Sequence, residues 1–214
     1  MMNKVLGTCV LALLPALAWA AGDQEAGRVK ANTCMGCHGI PNYTNVYPTY
    51  RVPKLGGQSE GLIVAALKAY KSGERPHPTM RAQAASLSEQ DMADIAAYLN
   101  HAPAHRDGKA GGGKNSEFDK AKACEACHGP NGAKPVLPDA PVLAGQHTNY
   151  LEHALHEYKS GARKSPQMAG MVAGLSDEDI ENLARYYASQ QSPLYTPSVH
   201  GSGGGQPQNT TSKP

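Results

Sequence analysis

Cys34-Met35-Gly36-Cys37-His38 and Cys124-Glu125-Ala126-Cys127-His128 are two copies of one pattern, C-x-x-C-H, and their reading decides the rest of the chain. Two thiols three residues apart at the end of a helix can reach the two vinyl groups on one edge of a porphyrin. The imidazole that follows is then offered to the iron from one face. A lone C-x-x-C is ambiguous, because thioredoxin-like redox pairs and zinc knuckles share it. A zinc site has no need of a His directly after the second Cys in both copies. The pattern therefore points to two covalently attached haem c groups, held by Cys34, Cys37, Cys124 and Cys127, with His38 and His128 as axial ligands of the irons.

The N-terminus agrees with that reading. Lys4 supplies a positive start, Val5 to Leu17 an apolar core and Ala18-Trp19-Ala20 a small-x-small cleavage site, so residues 1–20 read as a signal peptide. The apolar run is short for a bilayer span, which makes an uncleaved anchor the weaker alternative. Cys9 lies inside that segment, and every other cysteine belongs to a C-x-x-C-H, leaving none for a disulfide. Export to the periplasm fits haem attachment outside the cytoplasmic membrane. Charge is uninformative about partners: 20 Lys and Arg stand against 18 Asp and Glu, and haem propionates would tip the holoprotein towards neutral or mildly acidic. No basic block of nucleic-acid type is present, so no nucleic-acid role is expected.

The chain is also an internal duplication. Pro53-Lys54-Leu55-Gly56-Gly57-Gln58 returns as Pro141-Val142-Leu143-Ala144-Gly145-Gln146, and Tyr70-Lys71-Ser72-Gly73 as Tyr158-Lys159-Ser160-Gly161, with Arg75 matched by Arg163. The copies align without a gap from Pro53 to Tyr98. Between His38 and Pro53 the first copy is two residues longer and carries Tyr43, Tyr47 and Tyr50. Apolar spacing is helical throughout, with stripes such as Leu62, Ala66, Leu67 and Tyr70, and Tyr150, Leu151, Ala154, Leu155 and Tyr158. A helix runs into each haem motif, from Gln24 to Cys34 and from Ser116 to Cys124, with Ser116 as N-cap. The last helix of each copy opens on a capping-box pattern, Ser88-x-x-Asp91 and Ser176-x-x-Asp179. The expected architecture is all-α, a tandem duplication. Its parts are a signal peptide at 1–20, a first domain at 21–101, a Gly- and Pro-bearing linker at 102–115, a second domain at 116–191 and a disordered tail at 192–214.

Whether each iron has a second protein ligand separates a carrier from an enzyme or sensor. Small c-type cytochromes take a Met thioether there, which raises the potential. Met80 and Met168 match in the duplication, each two residues after a Pro, and are expected on polar loops as the sixth ligands. Met171 is a rival for Met168, but its counterpart is Gln83. His77 is a rival for Met80 in a bis-His arrangement. The outer N–H of each axial His needs an acceptor, and the segments at Pro53/Leu55 and Pro141/Leu143 offer a backbone carbonyl. Arg75 and Arg163 are candidate propionate partners or solvated surface residues.

With these motifs the chain resembles the diheme cytochrome c4 family over nearly all of its length from about residue 21 to Ser192. The second copy, with His128-Gly129-Pro130-Asn131-Gly132, matches the family pattern more closely; the first departs from it between Ile40 and Arg51. The resemblance implies two class I cytochrome c folds related by a pseudo-twofold, each around one haem c, and a periplasmic electron carrier rather than an enzyme. It implies redox protein partners: a quinol–cytochrome c oxidoreductase or other donor, and a haem–copper terminal oxidase as acceptor, with peripheral membrane association in some members. One alternative is the diheme electron-accepting subunit of a periplasmic dehydrogenase of flavocytochrome type. Another is a haem peroxidase or gas sensor, which would need an open iron.

Overall fold

The computed structural model describes residues 21–47, 49–104 and 118–198. The signal-peptide reading of 1–20, the Ser116 cap, most of the linker and the tail beyond 198 lie outside them. Among the described residues the chain is helical, with three isolated antiparallel bridges in place of any strand.

The first domain runs α1 (Gln24–Lys30), a 3₁₀ turn (Ala31–Thr33), α2 (Met35–His38), α3 (Glu60–Ser72), α4 (Pro78–Ala85) and α5 (Glu89–His101). The second has a 3₁₀ turn (Asp119–Ala121), α6 (Lys122–His128), α7 (Thr148–Ser160), α8 (Pro166–Val172) and α9 (Asp177–Ser189). The long helices match in length, 13 residues each for α3, α7, α5 and α9.

The local signals explain these ends. Ser59 accepts the Leu62 N–H and starts α3. Both capping boxes form, with Ser88 and Asp91 bonded reciprocally and Ser176 and Asp179 likewise. The repeated Tyr-Lys-Ser-Gly segment is a helix stop: Gly73 and Gly161 close α3 and α7 with φ of +86° and +74°, a region where a Cβ is costly.

In the first domain α3 packs on α5, burying Ile63, Leu67 and Tyr70 against Met92, Ile95, Tyr98 and Leu99. α1 crosses α5 and is held by Asp94, which accepts the Asp23 N–H at 2.9 Å, the Gln90 amide at 2.8 Å and the Lys30 ammonium. In the second domain α7 packs on α9 around Leu151, Leu183, Ala184 and Tyr187. The entry to the second haem motif differs from expectation: it is a 3₁₀ turn from Asp119 followed by α6, capped by Ala121 without a side-chain bond.

The tail reading is corrected at its start. Residues 192–198 are packed against both domains, with Leu194 and Pro197 buried. Leu194 joins Val142 and Ala144 of the second domain. Tyr195 then pairs its N–H and C=O with Gly56 of the first domain at 3.0 and 3.1 Å, and the Ser198 N–H donates to Pro103 O at 2.7 Å. Gly56 is required there, since a Cβ would lie 2.3 Å from the Tyr195 ring. Pairing with Ala104 at Pro197 also orders the first residues assigned to the linker. The composition of 192–214 as a whole hides the apolar Pro193-Leu194-Tyr195 step that this strap uses.

Candidate haem sites

In each C-x-x-C-H one helical turn does the placing. The His38 N–H donates to Cys34 O at 2.9 Å and the Cys37 N–H to Cys34 O at 3.2 Å, so Cys34 and His38 stack at i and i+4 with Cys37 beside them. Cys34, Cys37 and Cys124 are half-buried, Cys127 is exposed, and none is in a disulfide. Burial pushes the Cys34 and Cys124 thiols up, the opposite of the activated thiolate that a thioredoxin-like pair requires. Among the described residues no group of three or more His, Cys, Asp or Glu could hold a bare metal ion, so the zinc-knuckle reading finds no ligand set.

The two imidazoles are set identically. His38 Nδ1 lies 2.9 Å from Pro53 O, and His128 Nδ1 lies 2.9 Å from Pro141 O. A carbonyl oxygen can only accept, so Nδ1 carries the hydrogen and Nε2 keeps its lone pair for a metal. Burial lowers His38 to about 4, against the opposing Pro53 bond and with help from the Arg75 and His77 charges; burial lowers His128 as well. Both rings are therefore neutral at physiological pH, the ligating form.

Met80 and Met168 are not on loops. Pro78 and Pro166 open α4 and α8, and each Met is the third helical residue. Pro is favoured at the first helical position, where its missing N–H costs nothing, so the Pro that looked like a loop marker starts a helix. Each Met N–H is capped by the residue three before it, by His77 Nδ1 at 3.2 Å and by Ser165 Oγ at 3.3 Å. That bond occupies the Nδ1 of His77, the bis-His rival. Met80 is half-buried against the core with Leu55 and Leu87, and Met168 is half-buried, whereas Met171 is 48% exposed.

Arg75 is not a solvated residue. It is buried, its Nη2 donates to the Tyr150 hydroxyl of the second domain at 2.7 Å, and its guanidinium sits 4.5 Å over the Tyr70 ring. Arg163 repeats the stacking on Tyr158 at 4.5 Å. Burial would raise Tyr150, but the two guanidinium groups hold it below its ordinary value. Among the described residues Arg75 has no carboxylate partner. A buried cation without a counter-anion is costly, so this position suits an anionic group such as a propionate.

The residues that form the domain interface were missed in the sequence. Gln58 exchanges both bonds of its amide with the Val142 backbone at 2.9 and 3.0 Å, and Gln146 does the same with Lys54 at 3.0 Å twice. The four residues match pairwise in the duplication, so the contact has the symmetry of a pseudo-twofold. The extra Tyr-rich loop joins it: Tyr50 is buried, stacked on His153 at 4.4 Å and tilted on Tyr150 at 5.9 Å, while Val46 and Tyr47 are 92% and 88% exposed.

The cytochrome c family model matches residues 24–103 and 116–191, one match around each motif. The chain belongs to the cytochrome c family. It is 34% identical over 201 residues to a cytochrome c4 of Pseudomonas aeruginosa, covering 86% of this chain and 98% of that one. A thiosulfate dehydrogenase electron acceptor of Stutzerimonas stutzeri is 30% identical over 201 residues, covering 84% of this chain and 92% of that protein. The crystal structure of reduced recombinant cytochrome c4 from Pseudomonas stutzeri superposes with a TM-score of 0.64 at 30% identity, over 80% of this chain and 100% of that one. The chain is thus a member of the diheme cytochrome c4 group, with two cytochrome c domains and two covalently bound haem c groups, and an electron-transfer cytochrome.

Proposed function

We propose that this cytochrome is an exported, periplasmic electron carrier whose two irons are each closed by a histidine and a methionine. Each haem supplies a one-electron ferric/ferrous couple. Cys34, Cys37, Cys124 and Cys127 anchor the two groups, and His38 and His128 each offer Nε2 to an iron while a carbonyl fixes the ring. Met80 and Met168 offer a thioether from the first turn of a short helix, which favours the reduced state. Arg75, a buried guanidinium without a carboxylate partner among the described residues, would pair with a propionate. A histidine and a methionine holding each iron would leave no position for a substrate, so the reading is carriage of electrons between a donor such as a quinol–cytochrome c oxidoreductase and an acceptor such as a haem–copper oxidase.

The observation that carries this is the matched geometry of both copies: a tautomer-fixed imidazole in each and a capped, half-buried methionine in each. Optical spectra of the oxidised protein test it through the sulfur–iron charge-transfer band. Met80→Ala and Met168→Ala should each remove half of that band, and Met171→Ala should leave it whole. Loss on Met171→Ala with retention on Met168→Ala contradicts the second-domain assignment.

A second reading is favoured by the thiosulfate dehydrogenase electron acceptor among the relatives: service as the dedicated acceptor of one periplasmic dehydrogenase. Co-purification with a stoichiometric dehydrogenase from native membranes and periplasm supports it, and a clean isolated carrier speaks for the first.

A further inference from the structure

The two glutamines at the interface do more than join the domains. The Pro53–Lys54 peptide group is bonded on both sides: its carbonyl accepts from His38 Nδ1 at 2.9 Å, and its N–H donates to Gln146 Oε1 at 3.0 Å. The mirror arrangement holds at Pro141–Val142, whose carbonyl accepts from His128 Nδ1 at 2.9 Å and whose N–H donates to Gln58 Oε1 at 3.0 Å. Each chain therefore runs from an imidazole through a single peptide to a side chain of the opposite domain. Both glutamines are buried.

We propose that Gln58 and Gln146 are positioning residues that tune the axial histidine of the opposite domain, each through one peptide group. This rests on His38 and His128 being the axial ligands. The two ends of a peptide are conjugated, so a hydrogen bond accepted from its N–H shifts charge onto its oxygen. A more negative Pro53 oxygen draws harder on the Nδ1 hydrogen of His38. The imidazole becomes a stronger donor to the metal, and the ferric state gains. Low dielectric in a buried interface keeps the effect from being screened. A glutamine is the side chain for this task, since it carries the same donor and acceptor as a peptide edge. Each domain's potential thereby depends on the other domain being docked.

The test is a redox titration in which each haem is followed by the shifted methyl signal of its own methionine. Gln146→Met removes the acceptor on Lys54, so the first-domain midpoint should rise while the second stays. Gln58→Met should raise the second-domain midpoint and leave the first. Gln146→Glu keeps an oxygen acceptor and should hold the first midpoint at or below the wild-type value. The proposal is overturned if the shift appears in the mutated residue's own domain, in both haems equally, or in neither. Should Gln146→Met not fold, the Glu variant decides alone, because a raised first midpoint there contradicts the relay. The charge-transfer band of the wild-type protein separates the two failures. Its absence removes the axial assignment itself; its presence with no crossed shift removes only the relay.

Discussion

At His38 and His128 one carbonyl oxygen decides which ring nitrogen is free, and the neighbouring charges then adjust the metal. At His38 the leading charge is Arg75, a buried guanidinium whose only side-chain hydrogen bond among the described residues goes to a phenol. A nearby cation favours the ferrous state, so Arg75→Gln should lower the first-domain midpoint and Arg75→Lys should recover part of it. An unchanged or raised midpoint in a folded variant contradicts the assignment of Arg75 to a propionate. The two C-x-x-C-H motifs and the carbonyl acceptors of His38 and His128 were legible because the chemistry fixes their spacing and the duplication repeats it. Gln58 and Gln146 were visible as a repeated letter but not as a contact, since their partners lie in the other domain.

Helix ends carry the next level. The capping boxes at Ser88 and Ser176 bond as their spacing requires, and Ser176→Ala should cost about 1 kcal/mol, read from the denaturant midpoint. The tie between α1 and α5 depends on the ionised Asp94. Burial acts to raise this group, and the Asp23 N–H, Lys30 and Gln90 together outweigh it, so its pKa is lowered on folding. Its contribution is then complete above the unfolded carboxylate value of about 4 and is lost as pH falls through the folded one. Hydrogen exchange should show α1 loosening first on acidification below about pH 4, and Asp94→Asn should weaken α1 at neutral pH and flatten that response. Uniform acid behaviour across both domains contradicts this. The methionine segments show where local reading fails: in the sequence Pro78 and Pro166 read as loop punctuation, though the same residue is favoured at the first helical position when a cap precedes it.

At the scale of the molecule, the paired glutamines and the strap of residues 192–198 lying on both domains join the Arg75–Tyr150 bond and the Tyr50 ring contacts in holding them together. Gly56→Val places a branched side chain where the Tyr195 ring sits, so it should free the strap and expose residues 192–198 to proteolysis while both haems stay bound. An intact strap in that variant contradicts the close packing. The strap was not legible because seven ordered residues open a longer stretch of Gly, Ser, Gln and Pro. The central claim is that both irons are closed by sulfur opposite imidazole. It is tested most directly by carbon monoxide added to the fully reduced native protein, with haem content measured in the same sample. Two haem equivalents per chain and no rapid carbon monoxide complex are expected. A single haem, or prompt binding at either iron, would contradict it.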